Sequence, residues 1–176
     1  MDKFILTKEM LLAARTYLPI GEKEAFVSET APKCFDRLQI TNNDDAMPPM
    51  YMENTGIKSR YLMAALVGKY LGIGFTGEKE DKTLMTDAEY DKYAGSHLLN
   101  QIERLKSDNA CRDRCFDLLA DYRDLEKRMG AQIHGLMDVQ NDTVLRQTMM
   151  AKADMAALPE LLEEIRKLGE KGNVNA

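Results

Sequence analysis

The chain has no tryptophan, three cysteines, two histidines and only 7% aromatic residues among its 176. Three thiols cannot all pair within one chain, and Cys111 and Cys115 lie one helical turn apart, where disulfide geometry is hard to reach. Reduced thiols in a cytoplasmic protein are the simplest expectation. The start, Met1-Asp2-Lys3-Phe4-Ile5-Leu6-Thr7, lacks the apolar stretch and small-residue cleavage site of a secretory signal. The most apolar run, Tyr61 to Phe75, is too short to span a bilayer and contains Lys69, so no membrane contact is expected.

Concentrated charge is also missing. The net charge of −5 is spread thinly, and no segment gathers enough Lys and Arg to neutralise several phosphates. Nucleic acid is therefore not an expected partner; weak binding through a local basic strip, for example Arg104, Lys106, Arg112 and Arg123, is kept as an alternative.

Catalytic and metal motifs are absent too. There is no Cys-x-x-Cys, no Glu-x-x-His and no Gly-x-Ser-x-Gly. Ser96 and His97 are adjacent on a predicted helix, so their side chains diverge by about 100° and make a poor nucleophile–base pair. Gly72-Ile-Gly-Phe-Thr-Gly77 follows a helix and lacks the Lys-Ser/Thr of a phosphate loop. Met47-Pro-Pro-Met50-Tyr-Met52 has thioether spacing seen in soft-metal loops, but no histidine adjoins it, and an apolar plug is the plainer reading. No cofactor or metal is assigned. An acid–base or metal site assembled from distant residues would leave no trace in the spacing, so an enzyme stays as an alternative.

What is present is helical periodicity. From Thr86 to Asn141 there is no proline, and Cys111, Cys115, Leu118, Tyr122, Leu125 and Met129 recur at alternating four- and three-residue steps. That spacing holds one seam of a long helix against a partner. Twelve methionines suit helix-on-helix packing, since the flexible thioether fills irregular gaps. The expected fold is all-α: a compact bundle or array of six to seven helices built on a long antiparallel hairpin, Thr86–Ser107 against Asn109–Gln140. One helical domain covers 1–171, with loops at about 41–56 and 73–85 and a frayed tail at 172–176.

Local signals place the other elements. Thr7 caps the first helix, which Pro19 and Gly21 end. A second runs from about Glu22 to Leu38 and is kinked or split at Pro32, with Thr30 as the new cap if it splits. A third spans about Ile57–Leu71; Ala64, Gly68 and Gly72 along it mean either a tight helix crossing or simple termination at Gly72. Thr86 with Glu89 forms a capping box. Asn141-Asp142-Thr143 caps a sixth helix, and Pro159 opens a seventh that ends at Gly169.

The one unusual charge pattern is Asp113, Asp117, Asp121 and Asp124, which share an arc of the helix after Asn109. Like charges one turn apart cost roughly 0.2–0.5 kcal/mol per pair. Arg112, Arg123 and Lys127 lie on the other flank of the seam. Oppositely charged flanks set partner and orientation in packed helices. The four aspartates are therefore the candidate partner-binding residues, for a basic protein surface or a divalent cation; the alternative is a solvated face tempered by Arg114 and Arg128. With no catalytic signature, the expected function is that of a non-enzymatic helical interaction or assembly protein, working by docking or self-association.

Overall fold

The computed structural model describes residues 3–38 and 50–172, with side chains excepted at 156 and 164–172. Among the described residues it is mostly helical, with one two-stranded sheet and one helix far longer than the rest. The chain divides into two units, one of Met1–Asp36 with Glu53–Leu136, the other of Arg37–Met52 with Met137–Ala176.

In the first unit, α1 (Lys8–Ala13) begins where Thr7 Oγ1 accepts the Met10 N–H. It stops six residues before Pro19 because the following backbone is held elsewhere: Arg15 N–H donates to Tyr70 O, and Leu18 N–H to the Asp121 carboxylate. Helix α2 (Ile20–Thr30) follows Pro19. Pro32 then ends the regular helix in a 3-10 turn, Ala31–Lys33. Thr30 does not cap that turn; its hydroxyl donates back to Phe26 O. The segment after the turn is not helical as expected. Phe35–Leu38 is a strand, β1, paired with β2 (Met50–Glu53), because a proline that removes the helical N–H bond leaves the next residues free to pair sideways. The Met47-Pro48-Pro49 part of the thioether loop lies outside the described residues.

Helix α3 (Thr55–Ala64) is capped by Asn54, whose side chain accepts the Ile57 N–H. It continues as a π-helical turn, Ala65–Tyr70. Gly72, with φ +67°, ends it, which favours the termination reading. Gly68 serves close approach after all, but to a side chain: a Cβ there would lie 3.1 Å from the Phe75 ring.

Helix α4 (Asp87–Ala94) starts with the predicted Thr86–Glu89 capping box. It does not run on to Ser107. The chain breaks at 95–97 and resumes as α5 (Leu98–Arg104). The break is where the N-terminal segment docks: Phe4 N–H donates to Ser96 Oγ, Leu6 N–H to Gln101 Oε1, and Gln101 Nε2 to both Phe4 O and Ser96 O. After a 3-10 turn at Leu105–Ser107, α6 (Arg112–Gly172) begins.

The predicted seam is the inner face of α6. Cys111, Cys115, Leu118, Leu125, Met129 and Ile133 are fully buried, and Tyr122 nearly so. They pack in a core shared with Leu11, Leu18, Tyr61, Leu66, Tyr70, Met85, Leu98 and Ile102.

In the second unit, α6 continues without a break through Asn141-Asp142-Thr143 and through Pro159. Three helices were expected from Asn109 to Gly169; there is one. Asn141 does not cap. Its carboxamide accepts the Tyr51 N–H at 2.7 Å and donates to Tyr51 O, satisfying one residue of β2. Thr143 and Thr148 donate back to carbonyls four residues earlier, a bond that lets a hydroxyl residue sit inside a helix.

Candidate functional site

The aspartate row divides in two. Asp113 and Asp117 are exposed, and among the described residues no bond or ion pair engages either side chain. Asp121 and Asp124 are turned onto α2. Lys23, only 2% exposed, donates from Nζ to Asp121 Oδ1 and, at 2.9 Å, to Asp124 Oδ2. Asp121 Oδ2 also accepts the Tyr70 hydroxyl at 2.8 Å and the Leu18 N–H at 2.9 Å. Asp124 is bridged in addition to Arg128 at 2.8 Å. The sequence does not mark Lys23, because a lysine among Glu22, Lys23 and Glu24 reads as solvated surface.

Local structure explains this convergence. Pro19 starts α2 and places Lys23 one turn in. The stretched segment 14–19 presents the Leu18 N–H, and the π turn at the end of α3 swings Tyr70 inward. The two carboxylates are three residues apart on α6, so one ammonium reaches both.

The electrostatics suit a clamp better than a catalyst. Burial pulls the Lys23 ammonium down, but the bonds from Asp121 and Asp124 outweigh it and hold its pKa above the ordinary lysine value. It stays charged at neutral pH and is no nucleophile. Burial, reinforced by Asp121, raises the Tyr70 phenol well above its usual range. Asp124 is held below the usual carboxylate range by Arg128 and then Lys23. Lys23, Tyr70 and Asp124 are therefore not poised to exchange a proton near pH 7. The cluster floors a cleft of about 490 Å³ bordered by Thr16, Tyr17, Ile20 and Asp117.

Other predicted features are dispersed. Of the basic strip, Lys106 and Arg123 both bridge Glu103. His134 is exposed and contacts Glu53 at 3.1 Å; His97 is exposed and far from any thiol partner in sequence. Cys34, Cys111 and Cys115 are buried and unpaired with one another. Among the described residues, no three His, Cys, Asp or Glu side chains gather as a metal site, and no helix is long and apolar enough to cross a membrane.

The feature that sequence reasoning missed lies on α6 beyond the core. After Ile133, none of its described residues is buried. Val139, Leu145, Met149, Met150, Met155, Leu158, Leu161 and Leu162 are all at least half exposed. Val144, Thr148, Ala151, Met155, Leu158 and Leu162 repeat the four- and three-residue steps of the buried seam. That signal was present in the sequence, but Asn141-Asp142-Thr143 and Pro159 mimic helix boundaries and cut the repeat into pieces.

Comparison of the chain with protein-family models, with curated proteins and with solved structures found no match.

Proposed function

We propose that this is a non-enzymatic helical assembly protein that self-associates through the second half of α6. The observation that carries the reading is the seam from Val144 to Leu162, half-buried at Val144 and Thr148 and exposed at Ala151, Met155, Leu158 and Leu162. An isolated helix is marginal in water, and most helical stability comes from packing an apolar face. A stripe at four- and three-residue steps fits another helix with the same stripe, and a second copy always supplies one. Net charge near neutrality in 141–176, at −1, does not oppose pairing.

Magnitudes limit such a dimer to at most moderate affinity. Fully covering a Leu or Met side chain stabilises by about 1.5–3 kcal/mol. Covering Met155, Leu158 and Leu162 on two copies, each already partly shielded, gives on the order of 10 kcal/mol. The freedom lost on association costs about 4–15 kcal/mol.

The antiparallel pairing of 98–107 with the start of α6 is the scaffold in this reading. It is supported by the Glu103–Arg123 bridge at 3.3 Å and by Lys106 lying over the Phe116 ring. Asp121 and Asp124 then serve inside the chain, and Asp113 and Asp117 remain as an acidic contact for a basic partner. A cytoplasmic setting, with thiols kept reduced, accords with three buried, unpaired cysteines.

Sedimentation velocity across a concentration series tests the proposal. The expected result is a concentration-dependent dimer that Met155→Asp with Leu158→Asp converts to monomer, while the fold of the first unit is retained. A wild-type chain that stays monomeric throughout the series rejects it.

A further inference from the structure

A second cleft, independent of the self-association above, lies in the first unit where the N-terminal segment crosses the break between α4 and α5. Its volume is about 330 Å³, and among the described residues its lining includes Lys3, His97, Asn100 and Arg104 and no aspartate or glutamate. In a chain of net charge −5, a cleft with three basic side chains and no acid among its described lining residues runs against composition. The basic residues next along the chain are already engaged, Lys8 by Asp108 and Lys106 by Glu103. Lys3, His97 and Arg104 have no side-chain bond or ion pair among the described residues.

The walls of this cleft are fixed, and its cations are not. Ser96 and Gln101 use their polar atoms on the Phe4 and Leu6 backbone and on the α4–α5 turn, so they shape the cavity without being available to a ligand. His97 lines the opening. Its φ of 52° makes it the one non-glycine residue with positive φ among those described. A β-carbon in that left-handed conformation costs roughly 1–2 kcal/mol. Glycine would adopt the same turn without that penalty, yet an imidazole stands there, at the rim of a cationic cavity. Strain of this kind persists where the side chain or the turn has a use.

We infer that this cleft binds a small phosphate monoester, of about the size of a sugar phosphate. A phosphate monoester carries about −1.5 to −2 charges near neutral pH and three acceptor oxygens. Arg104 offers a planar fork and Lys3 a mobile point charge, the two geometries that recognise a phosphoryl group. Asn100 offers a carboxamide for a hydroxyl. The volume lies at the lower end of small-molecule sites.

The test is an NMR titration of the full chain with glucose 6-phosphate, with inorganic phosphate and glucose as controls. Expected are saturable amide shifts at Gly95, His97 and Leu98, with the ester binding at least tenfold more tightly than either control. Arg104→Gln, at an exposed position, weakens binding at least tenfold without lowering the urea midpoint. His97→Gly relieves the strained turn, so it raises the midpoint and still weakens binding. The inference is overturned if these amides show no saturable shift, if glucose or phosphate alone binds as well as the ester, or if Arg104→Gln leaves affinity unchanged.

Discussion

Lys23 and Asp121 are bonded ammonium to carboxylate across 98 residues of sequence, and Lys23 is almost wholly shielded from water. The pair ties α2 to α6, and through Asp121 it also holds Tyr70 and the Leu18 N–H. Removing one partner of a buried pair leaves an uncompensated charge, at a cost of about 3–5 kcal/mol. Asp121→Asn is expected near the lower end of that range, because Asp124 still faces Lys23. Lys23→Met combined with Asp121→Asn recovers part of the loss, because no ammonium is left buried and the carboxamide oxygen still accepts from Tyr70 and Leu18. Urea midpoints of the two variants check this, and equal losses in both contradict the clamp.

Stability should hold level across neutral pH and fall on both sides. Burial works against the charged Asp81 carboxylate, but its bonds to Lys33, Thr83 and Tyr61 prevail and depress its pKa; Asp124 is depressed too. Their contribution is therefore present above the unfolded value of about 4 and is lost as pH falls from there through the lower folded values. Lys23, Tyr61 and Tyr70 are raised. Theirs is present below the unfolded values of about 10 and fades as pH rises through the folded ones. Urea midpoints measured against pH test both edges; a midpoint that climbs on acidification from pH 5 to 3 contradicts the account.

Two glycines separate backbone strain from free space. Gly77 has φ +71°, and a Cβ there would sit 2.5 Å from Lys82 O. Gly77→Ala therefore destabilises by about 1–3 kcal/mol. Gly21 lies inside α2 with nothing near its missing Cβ. Gly21→Ala stabilises by about 0.4–1 kcal/mol. Thermal or urea unfolding reads the opposite signs directly.

The thiols should be inert in the folded protein. Burial pushes the Cys34 thiol up to about 12 and raises Cys115 as well, and the thiolate is the reactive form. A chromogenic disulfide reagent is expected to titrate all three cysteines rapidly in urea and none at a comparable rate in native buffer. Fast native reaction of any one of them contradicts its burial.

The seam from Cys111 to Met129 was legible because burial on one face of a helix imposes a period that survives in the residues themselves. The Thr7 cap and the Thr86–Glu89 box were legible because capping needs particular side chains at particular steps. Strands β1 and β2 were not, since four residues such as Phe35–Leu38 carry too little periodicity to outweigh a helical neighbourhood. The continuity of α6 was hidden by Asn141, whose carboxamide meets the Tyr51 backbone, a partner ninety residues away that no local pattern reveals. The Lys23 cluster was half legible: the spacing of the aspartates drew attention to α6, but the cation that engages two of them comes from another helix.

Hydrogen–deuterium exchange of the 144–162 amides, followed as protein concentration is raised, bears most directly on self-association. Protection in that stretch is expected to grow with concentration, while the amides of 115–133, already packed in the core, stay unchanged. Exchange in 144–162 that is fast and indifferent to concentration contradicts the claim that a second copy covers this helix.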